Sequence, residues 1–224
     1  MARNLIVGAS LGLSFVAVAM ASAQDKDKNK ASPAPGLQIG AVGGANLFTF
    51  GGSDATGVTT RTAFYAGTAL TIPLGRTFFV QPELLYSGEG AKTTVEDSTF
   101  GTIQGTFKLA YLSVPVLFGL DLGGGGSGLR IYAGPVLNLD ISCDLEAAAQ
   151  GTTMTSSCKD ASLTPKTTTL GATVGAGVTL RMGQGAIAFD ARYSRDLSDA
   201  FGGSNVRNQG LSVGAGFSIP LGAR

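Results

Sequence analysis

The chain has 224 residues, of which 44% are hydrophobic and only 14% are charged, and its formal net charge is +1 at pH 7. Ordinary globular domains carry about 25% charged residues, so this composition excludes a typical water-soluble surface. Lysine and arginine are scattered along the chain and nearly balanced by acidic residues, so we expect no nucleic-acid partner.

The N-terminus has the three parts of a secretory signal peptide. Arg3 precedes an apolar stretch from Leu5 to Met20, and Ala21-Ser22-Ala23 supplies the small residues of a cleavage site. The stretch is shorter than the ~20 apolar residues of a membrane-spanning helix, which argues against a retained anchor. We therefore predict a cleaved signal peptide at residues 1–23 and a charged, proline-containing periplasmic linker at residues 24–35.

Eight segments in the rest of the chain alternate apolar residues with small or polar ones, the period of two typical of β-strands. The predicted strands are Leu37–Phe50, Thr62–Leu74, Thr77–Gly88, Thr106–Leu122, Leu129–Cys143, Thr167–Met182, Ala186–Leu197 and Gln209–Leu221. A membrane barrel turns the apolar side of each strand to lipid and keeps small or polar residues inside. Residues 36–224 are therefore predicted to form an all-β, eight-stranded, antiparallel up-and-down transmembrane β-barrel.

Short turns and long polar loops alternate between these strands. The short connections are residues 73–76, 123–128 and 182–185, and the long ones are residues 51–61, 89–105, 144–166 and 198–208. Bacterial outer-membrane barrels have short periplasmic turns and long extracellular loops, so we expect both termini in the periplasm. The expected setting is the outer membrane of a Gram-negative cell envelope, with a monomeric barrel in contact with lipid and lipopolysaccharide.

Two cysteines, Cys143 and Cys158, flank a polar stretch in the third long loop. In an exported protein an even cysteine count favours a disulfide, and closing a loop of this length stabilises the fold by about 3 kcal/mol. The alternative is a metal site, but the chain has no histidine and two thiols are an incomplete zinc shell. We predict a structural disulfide, no metal and no cofactor.

Charged residues are predicted inside the barrel. The positions assigned to the inward face by strand parity are Glu83, Lys108, Arg130, Asp190 and Arg192. An uncompensated charge is costly in so narrow a space, so these residues are expected to pair with one another. Glu83, Asp190 and Arg192 lie at similar heights above their short turns and are predicted to form an ionic network that closes the lumen, with glycine and threonine filling the remaining inward positions.

Three segments resemble the PorT-like outer-membrane β-barrel family. They are Phe79 to Ser87, Ala110 to Gly119 with its Tyr-x-x-x-Pro pattern, and Arg130 to Pro135 after a short turn. The resemblance implies an eight-stranded barrel comparable to the OmpA and OmpX types, and it implies no catalytic residues. The chain departs from such barrels at its end, because Pro220 to Arg224 contains no terminal aromatic residue.

An enzyme is the first rival function. The absence of histidine removes the commonest general base near neutral pH, and with it the Ser-His-Asp arrangement. Asp140, Asp144 and Asp160 could form a carboxylate pair at the outer rim, but aspartates in polar loops are usually solvated. We therefore predict no catalytic activity.

Three non-catalytic functions remain. A soluble lipocalin-type carrier would need a polar exterior, which the alternating pattern does not provide. A structural or surface-interaction barrel would use its long loops to contact a host surface, lipopolysaccharide or another protein, and this is the predicted function. The alternative is a narrow, porin-like pore or a barrel associated with transport or secretion, the last implied by one branch of the resembled family.

Overall fold

The computed structural model describes residues 36–98, 101–123 and 127–222. The predicted signal peptide, residues 1–23, and the predicted linker, residues 24–35, lie outside these ranges. Within them the chain forms nine β-strands: β1 Gln38–Gly51, β2 Val58–Leu74, β3 Phe78–Asp97, β4 Gly101–Asp121, β5 Gly128–Ala149, β6 Thr152–Ser157, β7 Thr168–Met182, β8 Gly185–Asp196 and β9 Arg207–Pro220. In the same ranges no helix has the length and apolarity needed to cross a membrane.

Eight of the strands form a closed ring. Every strand pairs antiparallel with its neighbours in the order β1, β2, β3, β4, β5, β7, β8, β9, and β9 pairs with β1 from Gln38↔Pro220 to Gly51↔Arg207. The predicted eight-stranded up-and-down barrel is therefore confirmed. Because Gln38 pairs with Pro220, both described ends of the chain lie at the same end of the barrel as the short turns.

The two faces of each strand follow the alternating sequence pattern. On β9 the outward side chains Leu211, Val213, Phe217 and Ile219 are 42–52% exposed, whereas the inward Ser212 is buried. The other barrel strands place leucine, isoleucine, valine and phenylalanine on the same outer face. This apolar outer face is what a hydrocarbon solvent requires, since a sheet in water would turn its apolar side inward.

Strands β3, β4 and β5 are longer than predicted. The segment 89–105 is predicted as a loop, but its residues 89–97 and 101–105 continue the β3–β4 ladder from Glu89↔Leu109 to Asp97↔Gly101. In the next predicted loop, residues 144–149 form the end of β5 and residues 152–157 form β6. These segments are rich in threonine and lack a row of apolar residues facing lipid. The alternating pattern of membrane strands therefore does not predict them as strands. We call this sheet the extracellular β-extension; it comprises residues 89–97, 101–109, 143–149 and 152–157.

An apolar cluster lies under the extracellular loops. Its buried members are Phe50, Ala91, Leu109, Tyr111, Cys143, Cys158, Ala200 and Phe201. The ring of Phe50 makes edge contacts with the rings of Phe107 and Phe201, whose centroids lie 5.6 Å and 6.0 Å away. We call this cluster the outer cap, because the inward residues of the strand ends meet the segments 158–167 and 197–206 there.

Candidate functional site: the charged lumen and the extracellular β-extension

An ion cluster crosses the middle of the lumen. Arg192 on β8 donates from Nη1 to Glu83 Oε2 on β3 at 2.7 Å and from Nη2 to Asp190 Oδ2 at 3.1 Å. The side chains of Arg192 and Glu83 are 5% and 0% exposed. Since β3 and β8 lie on opposite sides of the ring, this ion pair spans the lumen from wall to wall. The structure thus brings together three of the five charged residues assigned to the lumen.

Two tyrosine rings flank the Arg192 guanidinium. Its central carbon lies 5.6 Å from the ring centroids of both Tyr65 and Tyr132, within the range of a cation–π interaction. Glycine makes room for these rings, because a Cβ on Gly214 would lie 2.0 Å from the Tyr65 hydroxyl and one on Gly175 would lie 2.6 Å from the ring of Tyr132. Inward glycines therefore allow large aromatic side chains to fill the lumen around the charge.

Arg130 joins the cluster through a neutral side chain. Its guanidinium stacks over the Phe79 ring at 3.8 Å, and its Nη2 donates to Gln81 Oε1 at 3.2 Å. Gln81 in turn donates from Nε2 to Glu83 Oε1 at 2.7 Å. Gln81 is not among the residues predicted for the lumen, although its parity with Glu83 places it on the inward face.

Lys108 does not belong to the lumen cluster. Its Nζ pairs with the Glu146 carboxylate on the neighbouring strand, and both side chains are about a third exposed (39% and 30%). The inward side of β4 is defined by the buried Leu109 and Tyr111, so Lys108 lies on the outer side of the strand. The predicted inward position of Lys108 is therefore wrong, because it has the opposite parity to the inward Leu109 and Tyr111.

Two further carboxylates that the sequence analysis did not single out are buried on the extracellular side of the ion cluster. Glu89 on β3 and Asp196 at the end of β8 are each 4% exposed. Glu89 lies an even number of residues after Glu83 on β3, and Asp196 lies an even number after Arg192 on β8, so both share the inward face. This parity is the sequence signal that predicts their position, although Glu89 falls in a predicted loop and Asp196 at the end of a predicted strand.

The disulfide joins β5 to the residue that follows β6, at the base of the β5–β6 hairpin. Cys143 and Cys158 are bonded with their Cα atoms 5.4 Å apart, and the main-chain N–H of Cys158 donates to the Cys143 carbonyl at 3.0 Å. Between them β5 and β6 form a hairpin whose two turn residues, Gln150 and Gly151, have φ values of 49° and 78°. Both positive φ values are those of a type I′ turn, which matches the twist of paired strands.

Strand β6 has one unpaired edge among the described residues. It pairs only with β5, and its six residues, Thr152–Ser157, are exposed except for the partly buried last one. Natural sheets protect open edges with charged residues, proline or a bulge. This strand, with the sequence Thr-Thr-Met-Thr-Ser-Ser, contains no charge and no proline.

The extracellular loops contact one another. Asp54 Oδ2 accepts a hydrogen bond from the main-chain N–H of Asn205 at 2.8 Å, which joins the β1–β2 loop to the β8–β9 loop. This bond and the Ser53 hydroxyl hold the pKa of the Asp54 carboxyl below its ordinary value. Asp199 pairs with Arg207 at 3.0 Å and with Lys166 at 3.9 Å. The β1–β2, β6–β7 and β8–β9 connections therefore form one connected surface.

Comparison with known proteins gives the class of the protein. The family described as "Outer membrane protein beta-barrel domain" matches residues 4–202. The chain belongs to this family, and the protein is an outer-membrane β-barrel. No curated protein matches the chain.

Several solved structures resemble the chain at low sequence identity. Ail, the attachment invasion locus protein of Yersinia pestis, is 15% identical with a TM-score of 0.43, over 83% of this chain and 99% of that one. Neisserial surface protein A is 16% identical with a TM-score of 0.44, over 85% and 100%. OprG from Pseudomonas aeruginosa is 14% identical with a TM-score of 0.44, over 84% and 98%.

Proposed function

We propose that this protein is a non-conducting outer-membrane barrel that binds an extended segment of a partner protein at the free edge of β6. The observation that carries the proposal is this edge, which lies outside the ring and has neither a charge nor a proline to block it. An open edge offers main-chain donors and acceptors to an added strand, a common mode of peptide recognition. The hairpin turn and the disulfide hold β6 in place for such binding.

The geometry of β6 shows which main-chain groups are available. Thr152 pairs with Ala149 beside the two-residue turn, and the Cys158 N–H donates to Cys143 on β5. Along an antiparallel strand the main-chain N–H groups point alternately to the two sides, so every second residue from Thr152 to Cys158 bonds to β5. The N–H groups of Thr153, Thr155 and Ser157 therefore point to the open edge. A partner strand would bond to these groups while the β5–β6 ladder remains intact.

The lumen supports the non-conducting part of the proposal. Arg192 occupies the middle of the lumen between two carboxylates and two tyrosine rings, and the outer cap covers the extracellular end. An eight-stranded barrel is just wide enough for its interior to be filled by side chains. The alternative of a narrow pore or a transport-associated barrel would require this cluster to open.

Proline substitution on β6 tests the binding surface. Peptides that bind nanodisc-embedded protein would be selected from a phage library of random heptapeptides, with empty nanodiscs as the background. Thr155→Pro removes one open-edge N–H and leaves the β5 bonds, so it should abolish binding of the selected clones. Thr155→Ala keeps the N–H and should bind as the native protein does. Equal binding to the proline variant, or no enrichment over empty nanodiscs, would refute the proposal.

Planar bilayers test the closed lumen. Refolded protein should give no conductance steps, whereas reproducible steps would refute the non-conducting part and favour the pore.

The remaining parts of the proposal rest on the sequence. We place the chain in the PorT-like branch because of the Tyr111-x-x-x-Pro115 strand and the segments around it. The proposed mature protein lacks residues 1–23, keeps residues 24–35 as a periplasmic linker, and is a monomer that contacts lipid and lipopolysaccharide. No catalytic step, metal or cofactor is part of this function.

A further inference from the structure

A small cavity with both apolar and polar lining residues lies on the extracellular side of the Arg192 cluster. Glu89 and Asp196 both line it, together with the side chains of Ser87, Asn138 and Ser212. The volume open to the centres of water-sized molecules is about 40 Å³. A water needs about 10–15 Å³ by this measure, so the cavity holds about three waters or one partly hydrated ion.

The two carboxylates receive hydrogen bonds only from neutral groups in the described structure. Glu89 Oε1 accepts from the Ser87 hydroxyl at 3.0 Å, whereas Glu89 Oε2 is buried and has no hydrogen-bond partner. Asp196 accepts from Asn138 Nδ2 at 3.0 Å, from Thr169 Oγ1 at 3.3 Å and from Asn208 Nδ2 at 3.5 Å. Buried polar atoms are normally paired, and a cation or water beside Glu89 Oε2 would supply the partner that the protein does not.

The nearby arginines do not supply that partner. Arg192 also lines the cavity, but Glu83 and Asp190 already bind its guanidinium. Arg61 donates to the main-chain carbonyl of Glu89 and not to its carboxylate. Arg195, which also lines the cavity, is exposed, and its pairing with Ala172 places it on the outer face of the barrel.

The charges that line this cavity and the Arg192 cluster are therefore unbalanced. Their carboxylates are Glu83, Glu89, Asp190 and Asp196, and the guanidinium groups joined to them are Arg130 and Arg192. Two negative charges are left over if all six groups are ionised. Buried charges without a partner are costly, so a counter-charge in the cavity would stabilise the folded barrel.

We propose that this cavity binds one hard divalent cation, Ca²⁺ or Mg²⁺, between Glu89 and Asp196. Carboxylate, amide and hydroxyl oxygens line the cavity, and such oxygens are the ligands that these ions prefer. Among the described residues no group of three or more Asp, Glu, His or Cys side chains could hold a metal. The site would therefore use two carboxylates, neutral oxygens and retained waters. This inference is independent of the β6 surface.

Terbium luminescence tests the site directly. The Tyr111 hydroxyl accepts from Asn208 Nδ2 at 3.1 Å, and Asn208 also contacts Asp196, so excitation of Tyr111 would sensitise Tb³⁺ bound in the cavity. The protein would be refolded from urea into detergent, free of lipopolysaccharide, because lipid phosphates also bind divalent cations. We expect one Tb³⁺ per chain, displaced by Ca²⁺ or by Mg²⁺ in separate titrations.

Glu89→Gln is the informative variant, because glutamine keeps the acceptor for Ser87 and removes the charge. It should weaken Tb³⁺ and Ca²⁺ binding at least about tenfold, since affinity in such sites follows the number of charged ligands. Asp54→Asn, which changes an exposed loop carboxylate, should leave binding unchanged. Tyr111→Phe should bind Ca²⁺ normally but lose part of the luminescence, because Tyr65 also lines the cavity. Heat-dependent mobility in electrophoresis would verify that each variant is folded.

Thermal stability gives a second readout that does not depend on luminescence. Ca²⁺ should raise the melting temperature of the native barrel relative to EDTA and should have no such effect on Glu89→Gln. In EDTA the variant should melt above the native barrel, because the repulsion between the two carboxylates is gone. No saturable cation binding, or equal binding by Glu89→Gln, would overturn the proposal. The proposal would also be overturned if Glu89→Gln melted above the native barrel in EDTA while Ca²⁺ left the melting temperature of the native barrel unchanged. That result would indicate two carboxylates that share a proton.

Discussion

Removing the Arg192 side chain should destabilise the barrel far more than removing the charge of Glu83. Arg192→Met leaves the buried Glu83 and the partly buried Asp190 without their shared cation. Breaking a buried ion pair in this way costs about 3–5 kcal/mol. Glu83→Gln leaves Arg192 paired with Asp190, so its expected cost is that of one charge-assisted hydrogen bond, about 1.5–3 kcal/mol.

The electrostatics of the pair agree with this order. Two unit charges about 4 Å apart interact by about 4 kcal/mol at the effective dielectric constant near 20 that suits such sites. Glu83 and Arg192 are almost fully buried, so solvent screens this interaction little. The partly exposed Lys108–Glu146 pair provides the control, because ion pairs that solvent reaches contribute about 0–1 kcal/mol.

Urea titration of the refolded barrel in detergent micelles would measure these free energies of unfolding. The chain has no tryptophan, so far-ultraviolet circular dichroism would follow the transition. We expect the loss to be largest for Arg192→Met, smaller for Glu83→Gln and smallest for Lys108→Met. A Glu83→Gln loss equal to or above that of Arg192→Met, or losses near zero for both, would refute the central role of the guanidinium.

Three other perturbations have defined outcomes. Cys143→Ser should lower the free energy of unfolding by about 3 kcal/mol, which is the value for a disulfide that closes a loop of this length. The variant should also expose the β5–β6 hairpin to protease, and unchanged proteolysis would contradict the role of the disulfide. Gly214→Ala should cost about 1–3 kcal/mol by overpacking against Tyr65, whereas Gly36→Ala, which has open space around it, should be neutral in the same titration. The Asp54–Asn205 contact should be present at neutral pH and lost as the pH falls through the lowered pKa of Asp54, because only the carboxylate accepts strongly. Hydrogen exchange at the Asn205 amide would measure this loss, and Asp54→Asn should show no such pH dependence.

The extracellular β-extension shows where sequence reasoning stopped. The apolar alternation that marks a strand in lipid ends near Gly88 on β3, while pairing continues to Asp97. Beyond the membrane the outward face meets water and no longer needs apolar residues, so the threonine-rich continuation was predicted as a loop. On the neighbouring strand, β5 continues into a hairpin with β6 whose turn residues, Gln150 and Gly151, have positive φ values.

The lumen shows a different limit. Parity within a single strand places Glu83, Asp190 and Arg192 on the inward face, and the structure puts them in contact. Parity does not say which residues of opposite strands share a height, and it did not single out Gln81, Glu89 or Asp196 as their neighbours. Lys108 alternates with the inward Leu109 and Tyr111, so it lies on the outer face of β4, contrary to the prediction.

The sequence by itself determined the class of the fold and the face of most barrel residues, because strands that alternate apolar and polar residues must turn their apolar side to lipid. It also predicted the cysteine pair, because the chain has only two cysteines. Only the tertiary structure decided which inward charges meet across the lumen, which carboxylates remain without a cation, and how far the sheet continues outside the membrane. These features depend on the register between strands and on the closure of the ring, and they bring together residues as distant along the chain as Glu83 and Arg192.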